Sequence, residues 1–164
     1  MEALEAISKR CSIRKFEDRA VPRDMIEKLV QAGSKAPSAR AIQPWEFVAV
    51  TDREVLLELG RIAETGAFIR EAACCIAVFC RGTKYYLEDG SAATENILLA
   101  AAAMGLGACW VAGDKKPYAQ EVAGLLSVPD SMKLVSLIPV GWPAETGSGV
   151  RRRDLSEILH WEKY

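Results

Sequence analysis

The sequence predicts an α+β fold in which a mixed or antiparallel central sheet is flanked by helices. Two segments with helical periodicity precede the first strand-like segment, and the later strands are interspersed with helices. The apolar run Cys74–Cys80 is typical of a central strand buried on both faces. Neither GxGxxG nor GxxxxGK(S/T) occurs, so the sequence supports neither a Rossmann dinucleotide fold nor a P-loop.

The first half of the chain is predicted to form three helices and one strand. Glu2–Lys9 is amphipathic, as in a short surface helix. Pro22–Gly33 follows the 3.6-residue period between a proline, which suits a first helical position, and a glycine, which favours termination. Alternation in Glu46–Thr51 indicates a strand, and Asp52–Arg61 is predicted to be a helix capped by its first residue.

The second half adds a long helix, two more strands and shorter helical segments. Asp89–Met104 is predicted to be helical, and its alanines are distributed around most of the helix circumference, so little of it can face water. Such a helix is either a core helix of this chain or part of an interface with a partner subunit. The remaining predicted elements are the short strand Ala108–Ala112, the helix Pro117–Leu126, the last strand Leu134–Val140 and the helical turn Asp154–Leu159.

Length and charge exclude several classes of protein. A chain of 164 residues with a net charge of −1 is expected to form one domain over residues 1–164 and to bind no nucleic acid, since it lacks a strong basic excess. Met1–Arg10 does not resemble a signal peptide, and the longest apolar run, Ile97–Leu106, is too short to cross a bilayer. We therefore expect a cytoplasmic protein without a membrane partner.

The cysteines indicate buried thiols and no metal site. There are five, without a CxxC pair. Four of them, Cys74, Cys75, Cys80 and Cys109, lie in apolar stretches.

Arg10, Ser12 and Arg14 form the first candidate binding motif. In an extended backbone, residues two apart share a face, so the two guanidiniums and the hydroxyl would converge on one ligand. This donor set suits a phosphate monoester together with a polar ring edge. The alternative is a solvated basic segment.

Two further segments have unusual compositions. Pro37–Trp45 is a proline-bounded loop whose small residues would let a flat ligand approach the backbone. Gly105–Gly113 contains a short strand between glycines, which is either a core strand or a segment against which a ligand lies. Near the end of the chain a basic cluster, Arg151, Arg152 and Arg153, precedes the leucine-containing tail Leu155–Glu162.

Together these four segments resemble the nitroreductase family of flavin enzymes. Its members open with Arg-x-Ser-x-Arg/Lys-x-Phe, continue with Pro-Ser-Ser-x-Asn-x-Gln-Pro-Trp, and in short forms end in a basic pair and a similar tail. The resemblance implies an intertwined homodimer with flavin sites at the subunit interface. It also implies that Arg10 and Ser12 bind the phosphate of FMN, and that Arg14 reaches the pyrimidine edge of the ring system.

The resemblance assigns roles to the other motifs as well. Pro37, Ser38, Ala39 and Ala41 would contact FMN bound to the other subunit, with Arg40 in the substrate channel. Ala39 and Ala41 replace a serine and an asparagine of the family pattern, which removes two polar side chains. The implied contacts of the Gly-flanked strand are Trp110, Val111, Ala112 and Gly113, with the amide near Ala112 donating to flavin N5.

Two assignments stay open. Arg151, Arg152 and Arg153 would close the phosphate site, but the sequence does not choose among them. Larger relatives supply an asparagine and a lysine to the flavin from a loop that corresponds to Glu64–Arg70, where Arg70 is the one candidate replacement.

The implied function is an FMN-dependent oxidoreductase that takes hydride from NAD(P)H and passes electrons, by a ping-pong mechanism, to a nitroaromatic, a quinone or a similar acceptor. No side chain is assigned as a catalytic acid or base, because the flavin carries the chemistry. The alternative is a flavin-binding protein without turnover, for storage, delivery or sensing. A specialised flavin reaction is less favoured, since relatives of that kind carry inserted lids.

Overall fold

The computed structural model describes residues 2–147 and 150–164 of the chain. The helices within them are α1 (Ala3–Lys9), α2 (Arg23–Ser34), α3 (Arg53–Ile62), α4 (Tyr86–Ala103) and α5 (Ala119–Leu125). The strands are β1 (Trp45–Val50), β2 (Cys74–Arg81), β3 (Gly107–Ala108), β4 (Val111–Ala112) and β5 (Met132–Gly141). Short 3₁₀ segments cover Ala39–Ala41, Glu64–Glu71 and Leu155–Glu157.

The named strands form an antiparallel sheet in the order β1–β2–β5–β3, with β4 also paired to β5. The prediction of an α+β fold is therefore confirmed, and of the two predicted sheet types, mixed and antiparallel, the named strands form the antiparallel one. Residues of β2 alternate between the two faces of the sheet, and both faces are covered. One face packs on α2 and α4, and the other packs on α3 and α5. The prediction that Cys74–Cys80 is a doubly buried central strand is confirmed.

The prediction of a single strand over Ala108–Ala112 is wrong, because the structure has two short strands, β3 and β4, separated by Cys109 and Trp110. The Cys109 N–H donates to the Pro139 carbonyl at 3.3 Å. Because Pro139 has no N–H, it cannot return the second hydrogen bond of that antiparallel pair. The register nevertheless continues across the break, from Ala108 opposite Val140 to Val111 opposite Leu137.

Helix α4 begins three residues earlier than predicted, at Tyr86, and ends as predicted at the glycine-rich segment. Gly105 has φ +75°, and the N–H of Leu106 donates to the carbonyl of Ala101 at 2.9 Å. Glycine adopts this left-handed conformation without a Cβ clash, so it closes the last helical turn in a Schellman motif. One side of α4 is buried against the sheet and α2, while several other positions are half-buried.

The segment after residue 149 carries apolar side chains that the rest of the chain leaves uncovered. Trp161 is 76% exposed, and Leu155, Ile158 and Leu159 are exposed as well. Across residues 2–147 and 150–164, no helix combines the length and the apolar composition needed to cross a membrane.

Candidate functional site

The Arg-x-Ser-x-Arg segment lies in an extended conformation beside β3. Ser12 forms a parallel bridge with Ala108, and the N–H of Ile13 donates to the Ala108 carbonyl at 3.0 Å. Ile13 is buried, and a Cβ built on Gly107 would lie 2.7 Å from its Cγ2. The side chain of Ile13 thus fills the space that Gly107 leaves, which anchors this segment to the sheet.

Arg10, Ser12 and Arg14 line one open cavity of about 390 Å³, as the extended spacing predicts. Arg152 lines it too, so the fold brings one residue of the C-terminal arginine cluster to the N-terminal motif. Arg153 instead lies 3.5 Å (Nε–Oε2) from Glu157. The remaining lining residues are Ser8, Lys9, Cys11, Gly147 and Val150.

Two carboxylates border this cationic cavity. The Oε1 of Glu95 on α4 lies 3.7 Å from Arg10 Nε. The Oε1 of Glu145 accepts hydrogen bonds from the backbone N–H groups of Arg14 at 2.7 Å and Lys15 at 3.1 Å. Because Glu145 is satisfied by the backbone, it leaves the Arg14 guanidinium available. That guanidinium lies 5.8 Å from the centre of the Phe68 ring.

A second group of predicted contacts lies on the split strand. Gly113 N–H donates to the Val135 carbonyl at 3.0 Å, in register with Val111 opposite Leu137. Since peptide groups alternate in direction along an antiparallel ladder, the N–H and C=O of Ala112 point away from β5. The outward carbonyl of Ala112 accepts a hydrogen bond from the Tyr118 hydroxyl. The outward N–H is directed to the exposed side of the sheet edge.

The outward edge of this split strand is covered only in part, by the N-terminal segment. The carbonyl of Ala108 is taken by Ile13, but the bridge to the N-terminal segment stops at Ser12. Beyond it, Trp110 and Ala112 are exposed. The fold therefore leaves backbone and side-chain surface uncovered next to the segment that carries Arg14.

The loop Pro37–Trp45 has an unusual backbone. Arg40, Ala41 and Gln43 have φ values of 55°, 54° and 50°, in the left-handed region that costs residues with a Cβ about 1–2 kcal/mol each. Among the described residues, the loop does not contribute to the lining of the cavity that holds Arg10. The structure of one chain therefore does not join the two motifs.

Three hydrogen bonds hold this loop. The Ala39 N–H donates to Asp89 Oδ1 at 2.9 Å, and the Gln43 N–H donates to Ser38 Oγ at 3.0 Å. The Arg81 guanidinium lies 3.3 Å from the carbonyl of Gln43. Asp89 was not among the predicted site residues, although a carboxylate in an alanine-rich helix is a recognisable feature of the sequence.

The 3₁₀ segment Glu64–Glu71, which contains the predicted counterpart of the flavin-contacting loop, Glu64–Arg70, packs under β4. A Cβ on Gly66 would lie 2.8 Å from Val111 Cγ1, so this 3₁₀ segment supports the strand directly. Arg70 is exposed and lies 4.0 Å (Nε–Oε1) from Glu71. It does not line the cavity around Arg10 within the described residues, so its flavin role stays a prediction.

The cysteines agree with the prediction of buried thiols. Cys74, Cys75, Cys80 and Cys109 are free and buried, whereas Cys11 is half-buried at the cationic cavity. Burial raises the pKa of the Cys74 thiol to about 12, and burial together with the Asp89 carboxylate raises the pKa of Cys80 to about 12. These thiols are accordingly structural.

A family model described as the nitroreductase family matches residues 7–78 and 67–142 of the chain. A protein of Methanothermobacter thermautotrophicus named "Putative NADH dehydrogenase/NAD(P)H nitroreductase" is 38% identical over 172 residues, which span 100% of this chain and 88% of that protein.

Solved structures agree with this match. An FMN-dependent nitroreductase from Clostridium difficile R20291 has a TM-score of 0.88 at 27% identity, covering 98% of this chain and 99% of that one. A structure from Desulfovibrio desulfuricans, described as "a putative nitroreductase in complex with fmn", has a TM-score of 0.86 at 31% identity, covering 100% of this chain and 98% of that one.

Proposed function

The chain belongs to the nitroreductase family of oxidoreductases, and from this premise we propose that residues 1–164 form one FMN-binding domain that oxidises NAD(P)H and reduces an electron-poor acceptor. Nitroaromatics and quinones are the acceptor classes. The proposed order is ping-pong, in which NAD(P)H gives up a hydride and leaves before the acceptor takes two electrons at the same face.

The observation that carries the proposal is the cavity lined by Arg10, Ser12, Arg14 and Arg152. Guanidiniums and a hydroxyl are the donors that a phosphate monoester prefers. We assign Arg10, Ser12 and Arg152 to the phosphate of FMN. Arg152, rather than Arg151 or Arg153, is chosen because it lines the cavity.

The ring system would lie between Arg14 and the exposed strand edge around Ala112. Bound FMN supplies the two-electron chemistry, and the chain's residues bind and orient it. The outward N–H of Ala112 would donate to flavin N5, and the Tyr118 hydroxyl holds the following peptide in place. Arg14 at the pyrimidine edge would stabilise the negative charge that reduction places there.

A homodimer completes the proposed site. In one chain, the loop that carries Arg40 does not line the phosphate cavity, so we propose that the partner subunit's copy of this loop covers the flavin. The exposed apolar side chains of the tail, Trp161 among them, support an interface with a second copy. Deleting residues 155–164 should yield a monomer by analytical ultracentrifugation, and a dimer of unchanged affinity would contradict this assembly.

A second candidate function is flavin binding without turnover. Ala39 and Ala41 lack the polar side chains of the family pattern, and Glu64–Glu71 offers no asparagine or lysine to the pyrimidine edge. These departures favour weaker control of the flavin, as in a carrier or sensor.

An anaerobic titration separates the two functions. We expect NADH or NADPH to bleach the oxidised flavin band of the FMN-loaded protein stoichiometrically within seconds, and a nitroaromatic or quinone to restore it. An FMN-loaded protein that stays oxidised would overturn the oxidoreductase proposal. Initial rates should give parallel double-reciprocal lines, whereas intersecting lines would exclude the ping-pong order.

The phosphate assignment has its own test. The double variant Arg10→Ala, Ser12→Ala should keep its assembly state but lose FMN on gel filtration. A matched double variant on α2, Arg23→Ala with Ser34→Ala, removes the same side-chain types away from the cavity and should retain FMN. Equal flavin retention by both would refute the assignment.

A further inference from the structure

Asp89 has a position that neither its sequence motif nor the proposed flavin contacts explain. It lies in the first turn of α4, is only 5% exposed, and its Oδ1 accepts the hydrogen bond from the Ala39 N–H at 2.9 Å. Its Oδ2 is buried without a hydrogen-bond partner among the described residues. A buried carboxylate is costly, so a single backbone contact to a distant loop calls for a functional reason.

The contact lies next to a cluster of left-handed residues. Ala39 immediately precedes Arg40, whose φ and ψ are 55° and 24°, and Ala41 is left-handed as well. Residues with a Cβ do not hold this conformation unless their surroundings impose it. Asp89 restrains the loop just before the left-handed residues, and Ser38 Oγ restrains the last of them, Gln43.

The strained conformation presents a free cation. Arg40 is exposed, and within the described residues no carboxylate lies within ion-pair distance of its guanidinium. A guanidinium binds carboxylates through two parallel hydrogen bonds, so an anionic group on the acceptor is its natural partner.

We propose that Asp89 is a positioning residue that holds Arg40 in place to bind acceptors carrying a carboxylate. This proposal rests on the proposed function and on the substrate-channel position that the family resemblance implies for Arg40. In the first turn of α4 the Asp89 side chain is held by the helix, so its Oδ1 offers a fixed acceptor to the Ala39 N–H. Asp89 acts on the acceptor only through the loop.

The first test measures the loop directly and needs no turnover. Amide hydrogen exchange of residues 38–43 should become about tenfold faster in Asp89→Ala, which removes the acceptor. Asp89→Asn keeps an acceptor oxygen and should retain the wild-type protection. Asp89→Leu matches the size of the aspartate without the acceptor and serves if the alanine variant does not fold. Asp24→Ala, on the exposed part of α2, is the control for loss of a carboxylate.

The second test uses two acceptors that differ by one carboxylate, 4-nitrobenzoate and nitrobenzene. Asp89→Ala should raise KM about tenfold for 4-nitrobenzoate, with little effect on kcat or on nitrobenzene. In an Arg40→Ala background, the same substitution should have no further effect on KM. Each KM is measured at FMN concentrations that saturate every variant, because the same loop is proposed to cover the flavin.

The results that would overturn the positioning role of Asp89 differ from the result that would refute the proposed oxidoreductase function. If Asp89→Asn behaves like Asp89→Ala, or if the KM effect persists without Arg40, the positioning role is overturned. Equal effects on both acceptors would overturn it too. A wild-type protein that NAD(P)H does not reduce would refute the oxidoreductase proposal, while the exchange comparison would still decide whether Asp89 holds the loop.

Discussion

Arg10 and Glu95 face each other across the junction of α1 and α4, with 3.7 Å between Arg10 Nε and Glu95 Oε1. Arg10 is therefore oriented by a carboxylate at the place where the proposed phosphate binds. The Glu95 carboxylate would also repel the bound phosphate, because the two negative groups lie beside the same guanidinium.

Replacing Glu95 by glutamine should tighten FMN binding. The neutral amide removes the repulsion of the phosphate, and we expect the dissociation constant to fall about two- to fivefold, since half-exposed charges interact by less than about 1 kcal/mol. Fluorescence titration measures the change, which should shrink at high salt. Glu54→Gln, on the opposite side of the sheet, is the control. Weaker binding by the Glu95 variant would show that orientation of Arg10 outweighs repulsion.

Gly107→Ala should displace the Arg-x-Ser-x-Arg segment. The new Cβ would lie 2.7 Å from Ile13 Cγ2 and 2.9 Å from its Cβ, so the segment must move away from β3. We expect a loss of about 1–3 kcal/mol in the free energy of unfolding and weaker FMN binding. Urea unfolding and flavin titration measure the two effects.

Gly124→Ala is the matched control for that substitution. A Cβ at this position, in α5, meets nothing within 4 Å. The helical alanine should raise the free energy of unfolding by about 0.5–1 kcal/mol and leave FMN binding unchanged. Similar losses in both variants would mean that the Ile13 contact does not position the segment.

The Tyr86 hydroxyl should stabilise the fold below pH 10 and lose this effect above it. It donates to Asp114 Oδ1 at 2.5 Å, and this hydrogen bond, reinforced by burial, raises the pKa of Tyr86 to about 12. A pKa raised in the folded state gives stability that is fully present below the unfolded value near 10 and is lost as the pH rises to about 12.

Comparison with Tyr86→Phe isolates that hydrogen bond. The wild type should exceed the variant by about 1 kcal/mol in free energy of unfolding at pH 8, and the difference should vanish toward pH 12. Urea unfolding between pH 8 and pH 12 measures it. A difference that stays constant with pH would exclude the hydrogen bond as its source.

Thiol labelling should report occupancy of the proposed phosphate site. Of the five cysteines, only Cys11 is not buried, and it lines the cavity with Arg10 and Ser12. Ellman's reagent should therefore modify about one thiol in the native protein and five after denaturation. Saturating FMN should slow the native reaction. Unchanged kinetics with FMN, or a fast reaction of Cys11→Ser, would contradict this assignment.

Most of the fold was predictable because each element depends on local pattern. Asp52 caps α3 as predicted, with its side chain accepting from the Val55 N–H at 3.0 Å. The start of α4 was misplaced, since residues 86–88 carry no distinctive cap or period. The split between β3 and β4 could not be foreseen either, because it follows from Pro139 on a strand distant in sequence.

The site was predictable where the spacing of residues along the chain determines the direction in which their side chains point. Arg10, Ser12 and Arg14 line one cavity, as their spacing in an extended segment suggests. Arg152 was indistinguishable from its neighbours, because only the path of the chain selects which of three consecutive arginines reaches the cavity. Asp89 was missed because its partner is the backbone of Ala39, and a backbone N–H leaves no trace in the sequence.

The sequence by itself determined the periodicity, the turn residues and the phosphate-type motif, since these arise from backbone sterics and from side chains a few residues apart. The tertiary structure alone decided which distant groups come together: Arg152 with Arg10 at one cavity, and Asp89 with Ala39. It also decided that the N–H of Ala112 points outward from the sheet edge. Such contacts depend on sheet register and on how α4 packs, which are set by burial of the whole core and not by any single segment.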